Sequence, residues 1–207
     1  MIVPTMGEYP KRLRHESINT TDYWTATWTS EEGLRRDDPD RFAQMLAMLK
    51  PGESVLDVAG GKGEFLQFIQ RAGFSRIAHC DQSEYAVEYV KKLGIHAYHA
   101  NAYSLPFTAG QFDVVTMGEM IEHLDEPARA VSEAVRVAHR AVVVSTPYKT
   151  VLNGEPEHVW AYDLDSMCDM LSVHGRVRLV MCAYDYAKHR TPLGWQIMVA
   201  SVTKDQS

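Results

Sequence analysis

The segment GEMIEHL, residues 118–124, places three ionisable side chains directly after an apolar run, QFDVVTM. Glu119, Glu122 and His123 stand at positions i, i+3 and i+4, so a helical turn would project all three from one face. Holding such groups beside a core costs free energy unless they bind an ion or exchange protons. The spacing therefore predicts either a cation site or a general base at this point.

A second chemical feature is the glycine-rich sequence VLDVAGGKGEF, residues 55–65. An apolar strand that runs through glycines into a helix makes a turn where a ligand can approach the backbone and the helix amides. The dinucleotide fingerprint G-x-G-x-x-G/A needs a small third residue, but counting from Gly61 and Gly63 that position holds Leu66. The pattern therefore argues against a nicotinamide or flavin dinucleotide. Such turns also bind a second class of nucleoside cofactor, which the pattern allows.

Both features lie in a chain that alternates short apolar runs with longer amphipathic segments from about residue 39 onward. This alternation is typical of βαβ units on a parallel sheet. The helices have boundary signals of their own, because Ser83 can cap a helix start and Gly73 and Gly94 can end helices. Five apolar runs are the predicted parallel strands: SVLDVAGG, IAHCD, HAYHA, FDVVTMG and AVVVSTP.

The pattern changes after Pro147, where an irregular stretch precedes a predicted helix from about Asp165 to Val173. Two further runs, VRLVMCAY and WQIMVASV, predict an antiparallel hairpin at a sheet edge. We therefore predict an α/β fold, namely a Rossmann-like, doubly wound, mostly parallel seven-stranded sheet with a C-terminal antiparallel hairpin. Because ligands gather at the carboxyl ends of parallel strands, the glycine turn and GEMIEHL should face one cleft.

The length of 207 residues fits one domain of ordinary size. Residues 39–207 are predicted to form the cofactor-binding domain. Residues 1–38, rich in Thr, Trp and Tyr, are predicted to form a cap or lid over it.

Composition narrows the partners and the compartment. The formal net charge of -6 argues against a nucleic-acid partner, since such proteins usually carry a basic surplus. No stretch approaches the ~20 apolar residues of a membrane span, and the N-terminus has no long apolar segment. Cys80, Cys168 and Cys182 lack metal-ligand spacing and are expected to be reduced. We expect a cytoplasmic protein, and pairing through the exposed hairpin edge would give a homodimer.

The glycine turn resembles motif I of class I S-adenosylmethionine-dependent methyltransferases, in which an acidic residue precedes small residues at alternate positions. Here these positions are Asp57, Ala59, Gly61 and Gly63, and the family usually has glycine in place of Ala59. The segments HCDQS, ANAYSLPF, FDVVTMGEMIEHL, EAVRVA and VVVSTP resemble later segments of the family in the same order. The resemblance covers most of the chain from Arg41 onward.

This resemblance implies S-adenosylmethionine as cofactor. Asp81 would bond the two ribose hydroxyls, and Asn101 stands where the family usually has an aspartate near the adenine amino group. The sulfonium would lie near groups that favour a cation; Tyr23, Trp24 and Trp28 are candidates, unless they only pack the lid on the core. The expected cofactor-binding residues are Asp57, Ala59, Gly60, Gly61, Gly63, Asp81, Gln82, Asn101, Ala102, Gly118 and Glu119.

The pattern Glu, two residues, Glu-His resembles the metal-binding element of two methyltransferase groups. One is the ubiquinone-biosynthesis O-methyltransferases acting on catechols, and the other is the small-RNA 2'-O-methyltransferases acting on a terminal ribose diol. Both supply a later histidine, and His158 stands in a comparable place. The resemblance implies that Glu119, Glu122, His123 and His158 hold Mg²⁺ or Mn²⁺, with His123 and Glu122 as catalytic residues. Such an ion would hold adjacent hydroxyls and lower the pKa of the attacking one.

The leading hypothesis is therefore O-methylation of a small molecule with adjacent hydroxyls, such as a catechol or a sugar. Other hypotheses stay open: 2'-O-methylation of an RNA 3' terminus, a metal-free N- or O-methyltransferase with His123 as base, and a binder without catalysis. GEMIEHL could also only shape the pocket. Methyl transfer depends on alignment more than on covalent groups, so the sequence does not identify the acceptor.

Overall fold

The fold is given by a computed structural model, which describes residues 9–14, 16–30, 39–149, 156–183 and 196–204. Residues 31–38, which reach the predicted boundary between lid and domain, lie outside these ranges. The division of the chain at residue 38 therefore stays a prediction. Within the described ranges, no helix is long and apolar enough to cross a bilayer.

Short strands and helices alternate along the chain, as the hydrophobic pattern predicts. The strands are β1 (Lys11–Arg12), β2 (Val55–Val58), β3 (Ile77–Asp81), β4 (His96–His99), β5 (Phe112–Gly118), β6 (Ala138–Pro147), β7 (Trp160–Ala161), β8 (Arg176–Ala183) and β9 (Gln196–Thr203). The helices are α1 (Thr21–Thr29), α2 (Pro39–Leu46), α3 (Glu64–Arg71), α4 (Glu84–Lys92), α5 (Pro127–Val137) and α6 (Leu164–Ser172).

Seven of these strands form one sheet in the order β4-β3-β2-β5-β6-β9-β8. Strands β2 to β6 run parallel, whereas β9 is antiparallel to both β6 and β8. The predicted mostly parallel sheet with a C-terminal antiparallel hairpin is thereby confirmed. A separate pair joins β1 to β7, which the sequence pattern did not indicate because each strand has two residues.

The side chains of the central strands alternate between two cores, one on each face of the sheet. Leu56 packs in the core that α5 and α6 complete, whereas its neighbour Val55 packs in the core that α2, α3 and α4 complete. Because both faces are covered, all four residues of β2 are buried. Helices on both faces confirm the doubly wound arrangement.

The predicted helix boundaries also agree with the structure. The hydroxyl of Ser83 accepts a hydrogen bond from the backbone N–H of Ala86 at 3.4 Å and caps α4. Gly73 and Gly94 follow α3 and α4 with φ angles of +96° and +79°, which glycine adopts without strain. These residues fix where α3 ends and where α4 begins and ends, and so they fix the turns on either side of the site described below.

The strand order sets where a ligand can bind. The chain passes from β2 outward to β3 and β4 and then returns to β5 on the other side of β2. The connections that follow β2 and β5 therefore diverge and leave a crevice at the carboxyl ends of these strands. Residues 59–63 and 118–124 lie at that crevice.

Leu66 tests how much the core beneath the glycine turn contributes to stability. Its side chain is fully buried on α3, the helix that follows the turn. Leu66→Ala should lower the free energy of unfolding by about 2–5 kcal/mol, because it removes buried methyl groups and leaves a cavity. Gln70→Ala, on the exposed side of the same helix, is the matched control and should stay within about 0.5 kcal/mol. Equal shifts of the two variants in urea denaturation would contradict this account of the core.

Candidate functional site

A cavity lies at the carboxyl ends of β2, β3 and β5. Its wall combines the glycine turn, the end of β3, the loop after β4, the segment after β5, and side chains from α1 and α2. Of the sequence-predicted cofactor residues, those that line it are Asp57, Ala59, Gly60, Gly61, Asp81, Gln82, Asn101, Ala102, Gly118 and Glu119. Gly63 is not among the lining residues, although it shapes the turn.

The glycine turn adopts a left-handed backbone that restricts its sequence. Ala59, Gly61 and Gly63 have φ angles of 56°, 54° and 74°. A side chain on Gly60 would begin 2.5 Å from a carboxylate oxygen of Asp57, so the turn has no room there. Ala59 also adopts a positive φ, which costs more free energy for alanine than for glycine. The departure from the family pattern at this position therefore carries a backbone cost.

His79 supports the turn from β3. Its ring is fully buried, and its Nε2 lies 3.0 Å from the carbonyl oxygen of Gly61. Burial lowers the pKa of His79 to about 4, so the ring is neutral and Nε2–H donates to that carbonyl. The turn is therefore held by a hydrogen bond from beneath, which motif spacing alone does not reveal.

Asp81 binds the same turn and the start of α4. One of its carboxylate oxygens accepts from the N–H of Gly61 at 3.1 Å, and the other accepts from the N–H of Ser83 at 2.8 Å. Burial raises the pKa of Asp81 to about 6 despite these donors. The carboxylate thus lies in the cavity wall at the position where a ribose is expected.

Asp57 is the other buried carboxyl group of the cavity. Thr116 donates its hydroxyl to Asp57 Oδ1 at 2.6 Å, yet burial dominates and raises the pKa of Asp57 to about 7. In the absence of ligand this group therefore titrates near neutral pH.

Helix α1 covers the cavity from the N-terminal segment. A side chain on Gly61 would lie 2.7 Å from the ring of Trp28, so this indole packs directly on the glycine turn. The hydroxyl groups of Thr25 and Ser83 form a hydrogen bond with an oxygen–oxygen distance of 3.0 Å, which links α1 to the start of α4. The ring of Trp24 lies 5.0 Å from that of His123 in an edge-to-face contact. Two of the three expected aromatic residues thus line the cavity, whereas Tyr23 does not.

The helical turn expected over GEMIEHL is shorter than the i, i+3, i+4 spacing requires. Only Ile121–His123 form a turn of 3-10 helix, and Glu119 has a φ angle of 50°. The side chain of Glu119 consequently takes another course, and its Oε1 accepts a hydrogen bond from the hydroxyl of Ser145 at 2.9 Å. Glu119 lines the cavity without joining the other acidic and imidazole groups.

Glu122, His123 and His158 come together as a buried cluster, and one ligand atom from each lies within 4.8 Å of the others. They are 1%, 4% and 3% exposed. Nδ1 of His123 lies 3.1 Å from the carbonyl oxygen of Glu157, which can only accept, so Nδ1 carries a proton; in the neutral ring Nε2 then has the lone pair. Three of the four residues expected to form a metal site are therefore adjacent.

The donor set is compatible with a divalent ion. Glu122 Oε2 accepts from the hydroxyl of Thr146 at 3.0 Å, while Oε1 lies 3.7 Å from Nε2 of His123. A carboxylate oxygen and a ring lone pair repel at that distance unless a cation, or a proton on Nε2, lies between them. Burial and then the Glu122 carboxylate raise the pKa of Tyr162, so its phenol stays protonated beside the cluster.

Arg41 is a site residue that the sequence reasoning missed. It is 6% exposed, lines the cavity, and donates from Nη1 to the hydroxyl of Ser145 at 3.3 Å. A side chain on Gly118 would lie 2.8 Å from Nη1, so the glycine makes room for this guanidinium. The available signal was an arginine directly before Phe42 on a helix face that is otherwise apolar.

The raised pKa of Asp57 predicts a pH-dependent stability. Between about pH 4 and pH 7 the native carboxyl keeps a proton that the unfolded chain has released, so unfolding free energy falls as pH rises and levels off above pH 7. Asp57→Asn removes this loss. We expect the free energy of unfolding of the variant to increase relative to that of the wild type as pH rises, by at most about 4 kcal/mol at pH 8. Urea denaturation at several pH values measures this difference.

Asp113 is the matched control for this titration. The backbone N–H of Ser54 donates to it at 2.8 Å and lowers its pKa, which is the opposite sign. Asp113→Asn should therefore lose stability relative to the wild type at neutral pH. A gap between Asp57→Asn and wild type that does not change with pH would contradict the prediction.

Comparison with known proteins finds a matching domain and several relatives. Residues 56–144 match the methyltransferase domain family. The ubiquinone/menaquinone biosynthesis C-methyltransferase UbiE of Cereibacter sphaeroides is 30% identical over 157 residues, which are 70% of this chain and 60% of that protein. An uncharacterized methyltransferase of Mycobacterium sp. strain JLS is 34% identical over 125 residues, which are 52% of this chain and 50% of the relative. The chain thus spans between half and two thirds of these relatives.

Solved structures share the fold. An S-adenosylmethionine-dependent methyltransferase from Thermotoga maritima superposes with a TM-score of 0.66 at 17% identity, covering 89% of this chain and 94% of that one. A chain from the complex of the Haloferax volcanii Trm112 methyltransferase activator with a methyltransferase gives a TM-score of 0.70 at 15% identity, covering 90% and 96%. The matched domain and its relatives support a class I S-adenosylmethionine-dependent methyltransferase family, and the solved structures share its fold.

Proposed function

We propose that the protein is an S-adenosylmethionine-dependent methyltransferase that methylates a hydroxyl oxygen of a small molecule with adjacent hydroxyls, such as a catechol or a sugar. One observation carries the proposal. Glu122, His123 and His158 converge directly beside the cofactor cavity, and His123 lies in its wall. Such a cluster beside the cavity suits O-methylation, in which the acceptor hydroxyl loses its proton.

In the proposed reaction the acceptor oxygen attacks the methyl carbon of the sulfonium in line with the carbon–sulfur bond. The oxygen–carbon bond forms as the carbon–sulfur bond breaks, and the electron pair of that bond stays on sulfur as the thioether of S-adenosylhomocysteine. The hydroxyl proton leaves to a base. Alignment and exclusion of water supply most of the rate enhancement, so the lid and the cavity wall matter as much as any single group.

The cavity carries charges that favour the cationic cofactor over its neutral product. Glu64, Asp81 and Glu119 line it, and the rings of Trp24 and Trp28 add π faces for a sulfonium. After transfer the sulfur is uncharged and these attractions weaken. This difference favours release of S-adenosylhomocysteine.

His123 is the proposed base and Glu122 its partner. Because Nδ1–H donates to Glu157, Nε2 is the ring atom that is proposed to receive the hydroxyl proton. The ring of Trp24 also packs edge-to-face against this imidazole. The ring is thus fixed in one tautomer and one orientation.

In the alternative to a base acting alone, Glu122, His123 and His158 would hold a divalent ion, which when bound lowers the pKa of an acceptor hydroxyl. Nε2 of His123 would then be a ligand to that ion and not the proton acceptor. Of the two ions considered, Mn²⁺ suits one carboxylate and two imidazoles better than Mg²⁺, which prefers oxygen ligands. Glu119 stands outside the proposed ligand set because Ser145 holds its carboxylate. The hydrogen bonds from Thr146 to Glu122 and from His123 to Glu157 would orient the ligands.

A second candidate is methylation of a ring carbon of a phenolic acceptor, which the named relative favours. That relative is a C-methyltransferase of ubiquinone and menaquinone biosynthesis. Removing the phenolic proton raises electron density at the adjacent ring carbons, so the same base could serve either product. With catechol as acceptor, mass fragmentation separates 2-methoxyphenol from a methylcatechol and decides between the two.

Substitutions in the cluster test the proposal. Glu122→Gln should lower kcat for catechol at least about 100-fold, because it weakens both an ion site and the base, while S-adenosylhomocysteine affinity stays within about twofold. Activity and calorimetric binding are measured after chelation and again with Mn²⁺. Glu126→Gln is the matched control, because the Glu126 side chain is 60% exposed; this variant should keep full activity.

His158→Ala separates an ion from a base acting alone. His158 does not line the cavity, so a metal-free base mechanism would leave its removal nearly silent, whereas an ion site would lose a ligand. We expect at least about a 10-fold loss of activity that excess Mn²⁺ partly restores. Full activity in His158→Ala and in chelated wild type would rule out the ion.

Asp81 tests the cofactor site apart from the acceptor. Asp81→Asn should weaken S-adenosylhomocysteine binding at least about 10-fold, because a charged acceptor for two ribose hydroxyls becomes a neutral amide. Isothermal titration with the wild type, Asp81→Asn and Asp169→Asn, an exposed position that does not line the cavity, measures this. Equal affinities in all three proteins would place the ribose elsewhere.

A further inference from the structure

Asn19 lies in the segment before α1 and lines the cavity together with Ser17. Its amide nitrogen Nδ2 donates to the hydroxyl of Ser17 at 2.9 Å and to the carbonyl oxygen of Glu157 at 2.7 Å. Its Oδ1 is buried and accepts no hydrogen bond from any residue that the structure describes. Both N–H groups of the Asn19 amide therefore donate to the protein, and its oxygen is the atom left to accept a hydrogen bond from a ligand.

The orientation of this amide is fixed by its surroundings. Rotating it by half a turn would bring Oδ1 against the carbonyl of Glu157, and two acceptors would face each other. The backbone N–H of Asn19 also donates to the hydroxyl of Ser17 at 3.1 Å, which restrains the residue further. Oδ1 is therefore held at one place.

Asn19 is positioned relative to the proposed base through a shared atom. The carbonyl oxygen of Glu157 accepts from Nδ2 of Asn19 and from Nδ1 of His123. Both side chains line the same cavity. A ligand that presents one group to His123 lies within the neighbourhood of Asn19.

The nearby cavity wall makes a lone acceptor selective. The wall that holds Asn19 and His123 also contains the apolar or aromatic residues Trp24, Met120 and Leu124. A buried acceptor without a donor costs free energy, which a ligand hydroxyl would recover. A ligand without that hydroxyl would leave the cost in place, and sites of this kind discriminate strongly against it.

We infer that Asn19 is a specificity-determining residue whose Oδ1 accepts a hydrogen bond from the second hydroxyl of the methyl acceptor, the one that is not methylated. The inference rests on the proposed function and deepens it. One hydroxyl meets His123 and loses its proton, and its neighbour donates to Asn19. The preference for adjacent hydroxyls then has a second source that does not depend on a metal ion.

Binding of catechol and phenol to the chelator-treated protein saturated with S-adenosylhomocysteine tests the inference. Phenol offers one hydroxyl and catechol offers two, and chelation removes any preference that an ion would create. The wild type should bind catechol at least about 10-fold more tightly than phenol, the contribution expected of one added hydrogen bond to a buried acceptor. Asn19→Leu should reduce this ratio to about 2, while the affinity for S-adenosylhomocysteine stays unchanged.

Thr25→Val is the matched control, because it removes the bond that fastens α1 to Ser83 and leaves Asn19 in place. It should keep the preference for catechol. A second measurement needs no variant: the side-chain ¹⁵NH₂ signals of Asn19 in wild type should shift on adding catechol and not on adding phenol. This readout decides the question if Asn19→Leu does not fold.

The outcomes separate the two hypotheses. An unchanged preference in Asn19→Leu, no preference in wild type, a loss of preference in Thr25→Val, or silent Asn19 signals would overturn the role of Asn19 and leave the methyltransferase proposal intact. If neither compound binds the wild-type complex, the proposed acceptor class falls and the role of Asn19 falls with it. A ratio that disappears only in Asn19→Leu supports the inference.

Discussion

The left-handed turn after β2 is the constraint on which the rest of the site depends. Its backbone reverses within a few residues, and that geometry leaves no room for a side chain on Gly60 or Gly61. The same turn offers the N–H of Gly61 to Asp81 and its carbonyl to His79, so the carboxylate and the ring are fixed by the loop they support. Trp28 of α1 packs on this loop, so the turn and the helix are in direct contact.

The turn also explains why the protein keeps two carboxyl groups buried at some cost. Burial raises the pKa of Asp57 to about 7 and that of Asp81 to about 6, so each ionised group opposes folding near neutral pH. Retaining the acids is reasonable where stability is exchanged for a ligand site, since ligand hydroxyls and charges offset the penalty.

The sequence was informative where structure is local and less so where it is not. The parallel strands, the glycine turn and the cap at Ser83 follow from hydrophobic period, small residues and one hydroxyl, all of which act within a few residues. Glu119 departs from the expected helical face because its positive φ and its bond to Ser145 arise from the neighbouring strand. Arg41 and Asn19 carried no motif at all, because partners distant in the chain create their roles.

Residues 157–159 show how such distant contacts make one site from separate segments. The carbonyl of Glu157 accepts from His123 and Asn19, and the N–H of Val159 donates to the carbonyl of Glu122 at 2.8 Å. The N–H of Leu13 in turn donates to the carbonyl of Val159 at 2.7 Å. Leu13 and Asn19 of the N-terminal segment and the buried cluster are therefore joined through one short stretch of backbone. A displacement of that stretch would move both His123, the proposed base, and Asn19, the proposed contact to the methyl acceptor. Proton removal and the choice of acceptor therefore depend on the same backbone segment.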